Sequence, residues 1–262
     1  MRRKLEEIFG RPIRVGYMCN FLNEEDGIQN HIDMGLPEKV DACIYHDGAY
    51  PGFKSKKPYS TDNSLKLVKN IPNAHLIQVT DTVSEMDKNN ACFRKAAELE
   101  LDFVIQCDAD EWFELDKKIL TESFDFETGL ISTFQYMTRF SNLCSSPPRK
   151  VNFLPRLFFQ PQFLECKNIH WWFYALGVRC VVDPATFIDG IHMFHDDRVR
   201  KTFRNDAMTE YQEMNIKRER TIMRQAEGVK GATIKSHKHE FHPLYENGMK
   251  CFVCNVGRDE DI

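Results

Sequence analysis

No apolar run in the sequence approaches the roughly 18 residues that a membrane-spanning helix needs, so no membrane span is expected. A basic surplus is equally missing. The formal net charge is −4 with a pI near 6.2, which argues against a general nucleic-acid binder, since such proteins carry a basic footprint. Met1 to Gly10 is charged and lacks the apolar centre of a secretory signal, so the sequence predicts a soluble, cytoplasmic protein. Internal repeats and low-complexity segments are absent, which excludes solenoids and arrays. No glycine-rich phosphate loop with a following lysine stands after the first strand-like run, which weakens a reading as a nucleotidyl transferase.

What is present is a normal core and a reduced set of thiols. Hydrophobic residues make up 42% of the 262 positions, enough for one large α/β domain or two small ones. Nine cysteines is an odd number, and Cys19, Cys43, Cys107 and Cys180 sit inside apolar strand-like runs. They read as reduced core residues rather than a disulfide framework.

The first half alternates strand and helix four times. Strands are expected at Ile13 to Asn20, Ala42 to Tyr45, Ala74 to Val79 and Phe103 to Cys107. Between them, Ile28 and Ile32 give one helix an apolar side that Gly35 and Pro37 end. Thr61 or Asp62 can cap a helix carrying Leu65 and Val68. Ser84-Glu85-Met86-Asp87 has capping-box spacing ahead of a third helix. This alternation predicts an α/β fold with a mainly parallel sheet covered by helices. The second half reads as mixed or antiparallel strands at Gly129 to Met137, Val151 to Phe159, Arg179 to Val182 and Phe187 to His195. One long amphipathic helix is expected over 197–228, and a His- and Cys-containing tail over 229–262.

Asp108-Ala109-Asp110-Glu111-Trp112 closes the fourth strand. Two carboxylates one residue apart at a strand end can converge on a hard divalent cation, which takes oxygen ligands and leaves positions for water and phosphate. The plain alternative is an exposed turn, where Asp is common. Asn23 and Asp47 also fall at the carboxyl ends of strands, where ligands bind in parallel sheets. A lysine cluster at Lys54, Lys56 and Lys57 reads either as a solvated face or as a phosphate contact.

Asn23-Glu24-Glu25, Asp47-Gly48, Lys88-Asn89, Asp108-Ala109-Asp110-Glu111, Pro155-Arg156-Leu157-Phe158-Phe159, Ile169-His170 and Ile191-His192-Met193-Phe194-His195 with Arg198 occur in that order. This succession resembles family-2 glycosyltransferases with the GT-A fold, over roughly residues 11–211. The resemblance implies a GT-A domain over 11–196, with a Rossmann-like mixed sheet, and a hexosyltransferase-like enzyme with a DxD motif. A nucleotide-sugar donor would lie across the parallel strand ends, held by Asn23, Glu25, Asp47, Lys88, Asp108 and Arg198. A Mn2+ or Mg2+ ion would sit on Asp108, Asp110 and His195. The acceptor is unspecified: a glycan, a lipid-linked glycan or a protein. His192 is read as a core or surface histidine, because a spacing of three puts it and His195 on opposite faces of a regular strand.

One departure matters. Many relatives carry His-Glu where this chain has His170-Trp171, and an inverting transfer needs a general base within hydrogen-bond reach of the acceptor hydroxyl. Glu111 and His170 are the leading candidates for that role, with Glu165 and Asp183 behind them. The same departure motivates a second reading, a catalytically inactive GT-A module that binds nucleotide, glycan or a protein partner. In the tail, His239 and His242 with Cys251 and Cys254 supply four zinc-type ligands for a structural Zn2+. The alternative there is a tail whose Phe241, Leu244, Phe252 and Val253 dock on the domain.

Overall fold

The strand–helix alternation of the first half builds one half of a mixed eight-stranded sheet. The computed structural model describes residues 5–51, 57–122, 134–143, 152–167, 173–175, 178–180, 187–196, 241–242 and 250–251. It divides into two units, Met1–Thr202 and Phe203–Ile262.

The first unit begins with helix α1 (Leu5–Phe9), strand β1 (Val15–Phe21), helix α2 (Glu25–Asp33), the short helix α3 (Leu36–Lys39) and β2 (Ala42–Asp47). Next come α4 (Ser64–Lys69), β3 (Ala74–Gln78), α5 (Glu85–Glu98) and β4 (Phe103–Gln106). β5 (Glu111–Leu115), α6 (Lys117–Glu122), β6 (Gln135–Asn142) and β7 (Asn152–Phe159) follow. The last elements are a 3-10 turn (Pro161–Phe163), β8 (Leu164–Cys166), β9 (Phe173–Ala175), β10 (Val178–Arg179) and β11 (Phe187–His195). The strand order is β3-β2-β1-β4-β7-β6-β11-β5, with β8, β9 and β10 in a small separate sheet.

β3, β2, β1 and β4 are parallel throughout, and β7 then runs antiparallel to β4. A parallel half flanked by helices and continued by mixed strands is the GT-A arrangement that the resemblance implied. Parallel strands buried on both faces read as continuous apolar runs. All six residues of β2 are buried, and Val15, Tyr17, Cys19, Phe103, Val104 and Ile105 are fully enclosed. Cys19, Cys43, Cys92, Cys107, Cys166 and Cys180 are buried free thiols. No helix among the described residues is long and apolar enough to cross a membrane.

Local chemistry explains the helix ends. Ser84 caps α5, its hydroxyl accepting from the Asp87 N–H, as the capping box requires. Gly35 adopts φ +64, which stops α2 and puts Leu36 in a separate turn.

Two elements differ from expectation. β6 covers Gln135–Asn142 rather than ending at Met137, because it pairs with β7 as far as Phe140 and with β11 as far as Asn142. Pairing on both sides, not local composition, sets its length. β5 is the other: Glu111 and Trp112 belong to an antiparallel edge strand whose Phe113 is buried in the core and whose Trp112 stacks on Phe194, centroids 5.8 Å apart. The expected helix over 197–228 lies outside the described residues. In the second unit, Phe241–His242 (β12) pairs antiparallel with Lys250–Cys251 (β13).

Candidate active site at the end of the fourth strand

Asp108 to Glu111 form a turn closed from both ends. The Glu111 N–H donates to the Asp108 carbonyl at 2.9 Å, and the Asp108 N–H donates back to Glu111 Oε2 at 2.9 Å. This reciprocal closure leaves the two aspartates different surroundings. The Asp108 side chain is 40% exposed. The Asp110 side chain is 1% exposed, and its Oδ2 lies 2.9 Å from His195 Nε2, at the end of β11. The Asp196 N–H donates to the Asp110 carbonyl at 3.0 Å, tying the end of β11 to the turn a second time.

Arg156, from the middle of β7, grips the turn from the sheet side. Its guanidinium donates to Asp108 Oδ2 at 3.2 Å and to Glu111 Oε1, and its side chain is 7% exposed against 2% for Glu111. Burial works against the guanidinium charge, but Glu111 and then Asp108 outweigh it and raise its pKa overall. Burial pushes the Glu111 carboxyl up, with Arg156 pulling it back and Asp108 adding a further upward push. Two carboxylates thus share one guanidinium, and a third, that of Asp110, stands beside them. Sequence reasoning placed Arg156 only within a matching run. The signal for more was a lone arginine in the apolar stretch Phe153-Leu154-Pro155-Arg156-Leu157-Phe158, since a buried arginine requires a carboxylate partner.

Helix α2 presses against the back of the turn. An added Cβ at Gly27 would stand 2.4 Å from the Ala109 carbonyl oxygen and 2.9 Å from Ala109 Cβ. A helical Gly→Ala change normally stabilises by about 1 kcal/mol. Gly27→Ala is expected to reverse that sign, because helix or turn must shift. A thermal melt lowered by several degrees would show it; an unchanged melt would mean that the turn yields freely.

The other strand ends are clasped together rather than left open. Asn23, in the left-handed region at φ +52, receives the Thr61 N–H on Oδ1 at 2.7 Å and donates its own N–H to Ser60 Oγ at 2.8 Å. Glu25 accepts from the Asn63 side chain at 2.9 Å, and its N–H donates to Asp62 at 3.1 Å. Asp47, fully buried, accepts the Ser60 N–H on both oxygens at 3.0 and 3.1 Å and the Ser60 hydroxyl at 2.6 Å. Burial raises its carboxyl pKa, against the Ser60 bonds. Buried Lys88 donates to the Gly48 carbonyl and lies 4.4 Å from the Tyr50 ring centroid. These four expected donor contacts therefore brace the loop between β2 and α4.

His46 precedes Asp47, and its Nδ1 is buried without a hydrogen-bond partner among the described residues. Burial, then Lys88, lowers its pKa from 6.5 to about 4. The unfolded chain therefore binds a proton that the folded one refuses. Stability from this group is complete above about pH 6.5 and is lost as pH falls toward 4, by up to about 3 kcal/mol. Urea unfolding at pH 7 and pH 4.5 is expected to show a smaller acid loss in His46→Gln; equal losses would remove His46 from the balance.

His192 bonds Ser141 Oγ at 2.8 Å and stacks on Phe194, while His195 reaches Asp110. Glu165 is paired with Lys167 at 3.2 Å on the small sheet. His170, Trp171, Asp183, Arg198, His239 and Cys254 lie outside the described residues. Of His242 and Cys251 only the backbone is described, on the two-stranded ribbon. Among the described residues, no group of three or more His, Cys, Asp or Glu side chains is arranged to hold a metal ion by itself.

No protein-family model and no curated protein matches the sequence. Among solved structures, S. aureus TarS 1-349 is similar at 17% identity and a TM-score of 0.37, over 53% of this chain and 38% of that one. The same fragment in complex with UDP-GlcNAc gives 17% identity and a TM-score of 0.37, over 53% and 37%. Mannose-1-phosphate geranyltransferase from Thermus thermophilus is similar at 8% identity and a TM-score of 0.29, over 76% of this chain and 63% of that one. The chain thus spans under two fifths of the length of the TarS fragment.

Proposed function

We propose that this chain is a glycosyltransferase that moves a sugar from a nucleoside-diphosphate donor to a hydroxyl acceptor with the help of Mn2+ or Mg2+. The observation that carries it is the acidic turn at the end of β4, where Asp108 and Glu111 share the Arg156 guanidinium and Asp110 meets His195. The donor set suits a hard divalent ion. The exposed Asp108 carboxylate, the Asp110 carboxylate and the His195 imidazole supply oxygen and nitrogen ligands. Too few protein ligands for a complete shell is the usual arrangement where substrate phosphates and water finish it. Bound there, such an ion would offset the charge that develops on the departing diphosphate.

The chain's own residues do the rest of the positioning. Without the ion, His195 holds Asp110 in place through its Nε2 contact. Arg156 and Glu111 hold the turn in shape, so Glu111 is not the proton acceptor in this reading: its oxygens are committed to Arg156 and to the Asp108 N–H. The clasp of Asn23, Glu25 and Asp47 on residues 60–63 braces the strand ends beside the acidic turn, and Lys88 fixes the chain at Gly48.

A manganese titration with a panel of nucleotide sugars tests this. Thermal stabilisation by one nucleotide family, and slow release of its nucleoside diphosphate, are expected. No stabilisation and no release across the panel would sink the proposal. The enclosure of Glu111 favours a second reading, an inactive module that binds nucleotide without turnover. Tight manganese-dependent binding with no transfer or hydrolysis would select it.

A further inference from the structure

We propose that His31 is a positioning residue for this site: held by Tyr45 and Tyr17, it fixes the Asp108 carbonyl and through it the direction in which Asp108 and Asp110 present their carboxylates. The proposal rests on the glycosyltransferase reading for what the turn binds, but not for how the turn is held. His31 lies in the last turn of α2 and is wholly buried. Its Nε2 is 3.2 Å from the Asp108 carbonyl oxygen and its Nδ1 is 3.4 Å from the Tyr45 hydroxyl. The Tyr45 hydroxyl is in turn hydrogen-bonded to the Tyr17 hydroxyl.

The chemistry of the partners sets the direction of every proton. A carbonyl oxygen only accepts, so Nε2 carries the hydrogen and Nδ1 of the neutral ring is the acceptor. Tyr45 donates to Nδ1, and its oxygen accepts from Tyr17. Burial keeps both phenols protonated by raising their pKa values, and lowers that of His31 to about 4. The chain of bonds therefore runs one way, from Tyr17 through Tyr45 and His31 to Asp108.

An ordinary core histidine can satisfy itself on any nearby group. This one ends on the carbonyl that also receives the Glu111 N–H and closes the acidic turn. Both lone pairs of that oxygen are thereby used, and the peptide following Asp108 cannot rotate without breaking two bonds. Gly27, four residues earlier and so on the same face of α2, admits Ala109 at close range. One helix face thus carries both the gap that receives the turn and the donor that orients it. The ring is boxed by Tyr17, edge-on at 5.7 Å, and by Tyr45 at 6.2 Å, which hold its orientation.

The test compares His31→Leu, which removes both bonds at similar bulk, with His31→Gln, whose amide keeps a donor near the Nε2 position, and with Tyr45→Phe. Imidazole nitrogen NMR of the wild type is expected to show one bare and one protonated nitrogen, with the proton on Nε2. In His31→Leu, amide exchange at residues 109–111 is expected to quicken at least about tenfold while β1 and β2 keep their protection. The affinity for Mn2+ with UDP, or with GDP if that is the nucleotide bound, is expected to fall about tenfold, the usual cost of losing a partner behind a metal ligand. His31→Gln should restore most of both, and Tyr45→Phe should cause a smaller loss that vanishes in the His31→Leu background. A proton on Nδ1, or unchanged exchange and affinity in His31→Leu, overturns the proposal. If the leucine variant does not fold, the glutamine and phenylalanine variants decide by the same readouts. A wild type that binds neither nucleotide would overturn the donor-site reading, while the exchange measurement would still decide whether His31 holds the turn.

Discussion

Asp110→Asn is expected to lower turnover about a thousandfold, close to 4 kcal/mol of transition-state stabilisation, and to abolish manganese-dependent nucleotide binding, with little loss of fold stability. The asymmetry follows from the charges at the turn. Asp108, Asp110 and Glu111 are held close enough that Asp108 and Asp110 both push the Glu111 carboxyl upward. Removing one negative charge relieves that repulsion, and the asparagine oxygen still accepts from His195. On the proposed reaction, the cation would lose its most enclosed ligand, and the departing diphosphate the charge that would offset its own. Isothermal titration with Mn2+ and nucleotide, beside a urea melt, measures both halves. Binding within about threefold of the wild type would remove Asp110 from the site. Reduced activity matched by an equal loss of stability would make the residue structural only.

Arg156→Met is expected to give the largest stability loss of any substitution at the site, about 3–5 kcal/mol, because it leaves Glu111 buried without its countercharge. Arg156→Met with Glu111→Leu should recover most of that loss, since an apolar pair of similar volume removes the desolvation cost of both ions. Activity should not return with stability. Glu111 also accepts the Asp108 N–H, and Arg156 holds Asp108 Oδ2, so the double variant leaves the turn free to open. Equilibrium unfolding of the four proteins gives the coupling between the two residues directly. A single-variant cost below about 1 kcal/mol would mean that water reaches the pair and that the turn is held by something else.

The parallel half of the sheet was readable because period and punctuation agreed there. Ser84 caps where its spacing says it should, and Gly35 stops a helix at a left-handed position. The mixed half was harder, because pairing partners far along the chain decide where strands begin and end. β5 shows why: Glu111-Trp112-Phe113 alternates correctly for a half-buried strand, yet the acidic residues just before it have the composition of a turn. At the site, residue types pointed to Asp108, Asp110 and His195; Asp110 meets His195, and Asp108 is held by Arg156. They did not show that Asn23, Glu25 and Asp47 spend their side chains on residues 60–63. Hydrogen bonds between loops are set by tertiary closure and leave no periodic trace. Nor did they reveal His31, which in sequence is one polar residue in the last turn of an amphipathic helix.

The clasp at Asn23, Glu25 and Asp47 gives the segment between Asp47 and Ser60 an independence of its own. Ser60 is tied to Asp47, and the Ala49 N–H donates to the Pro58 carbonyl at 2.8 Å, so both ends of this stretch are sewn together at the rim of the sheet. Once the base of a loop is closed, lengthening what lies beyond costs only a slowly growing entropy, about 0.6 kcal/mol per doubling. The segment can therefore behave as an exchangeable cassette. A change of length beyond that closed base is therefore expected to leave the strand ends that carry the acidic turn where they are.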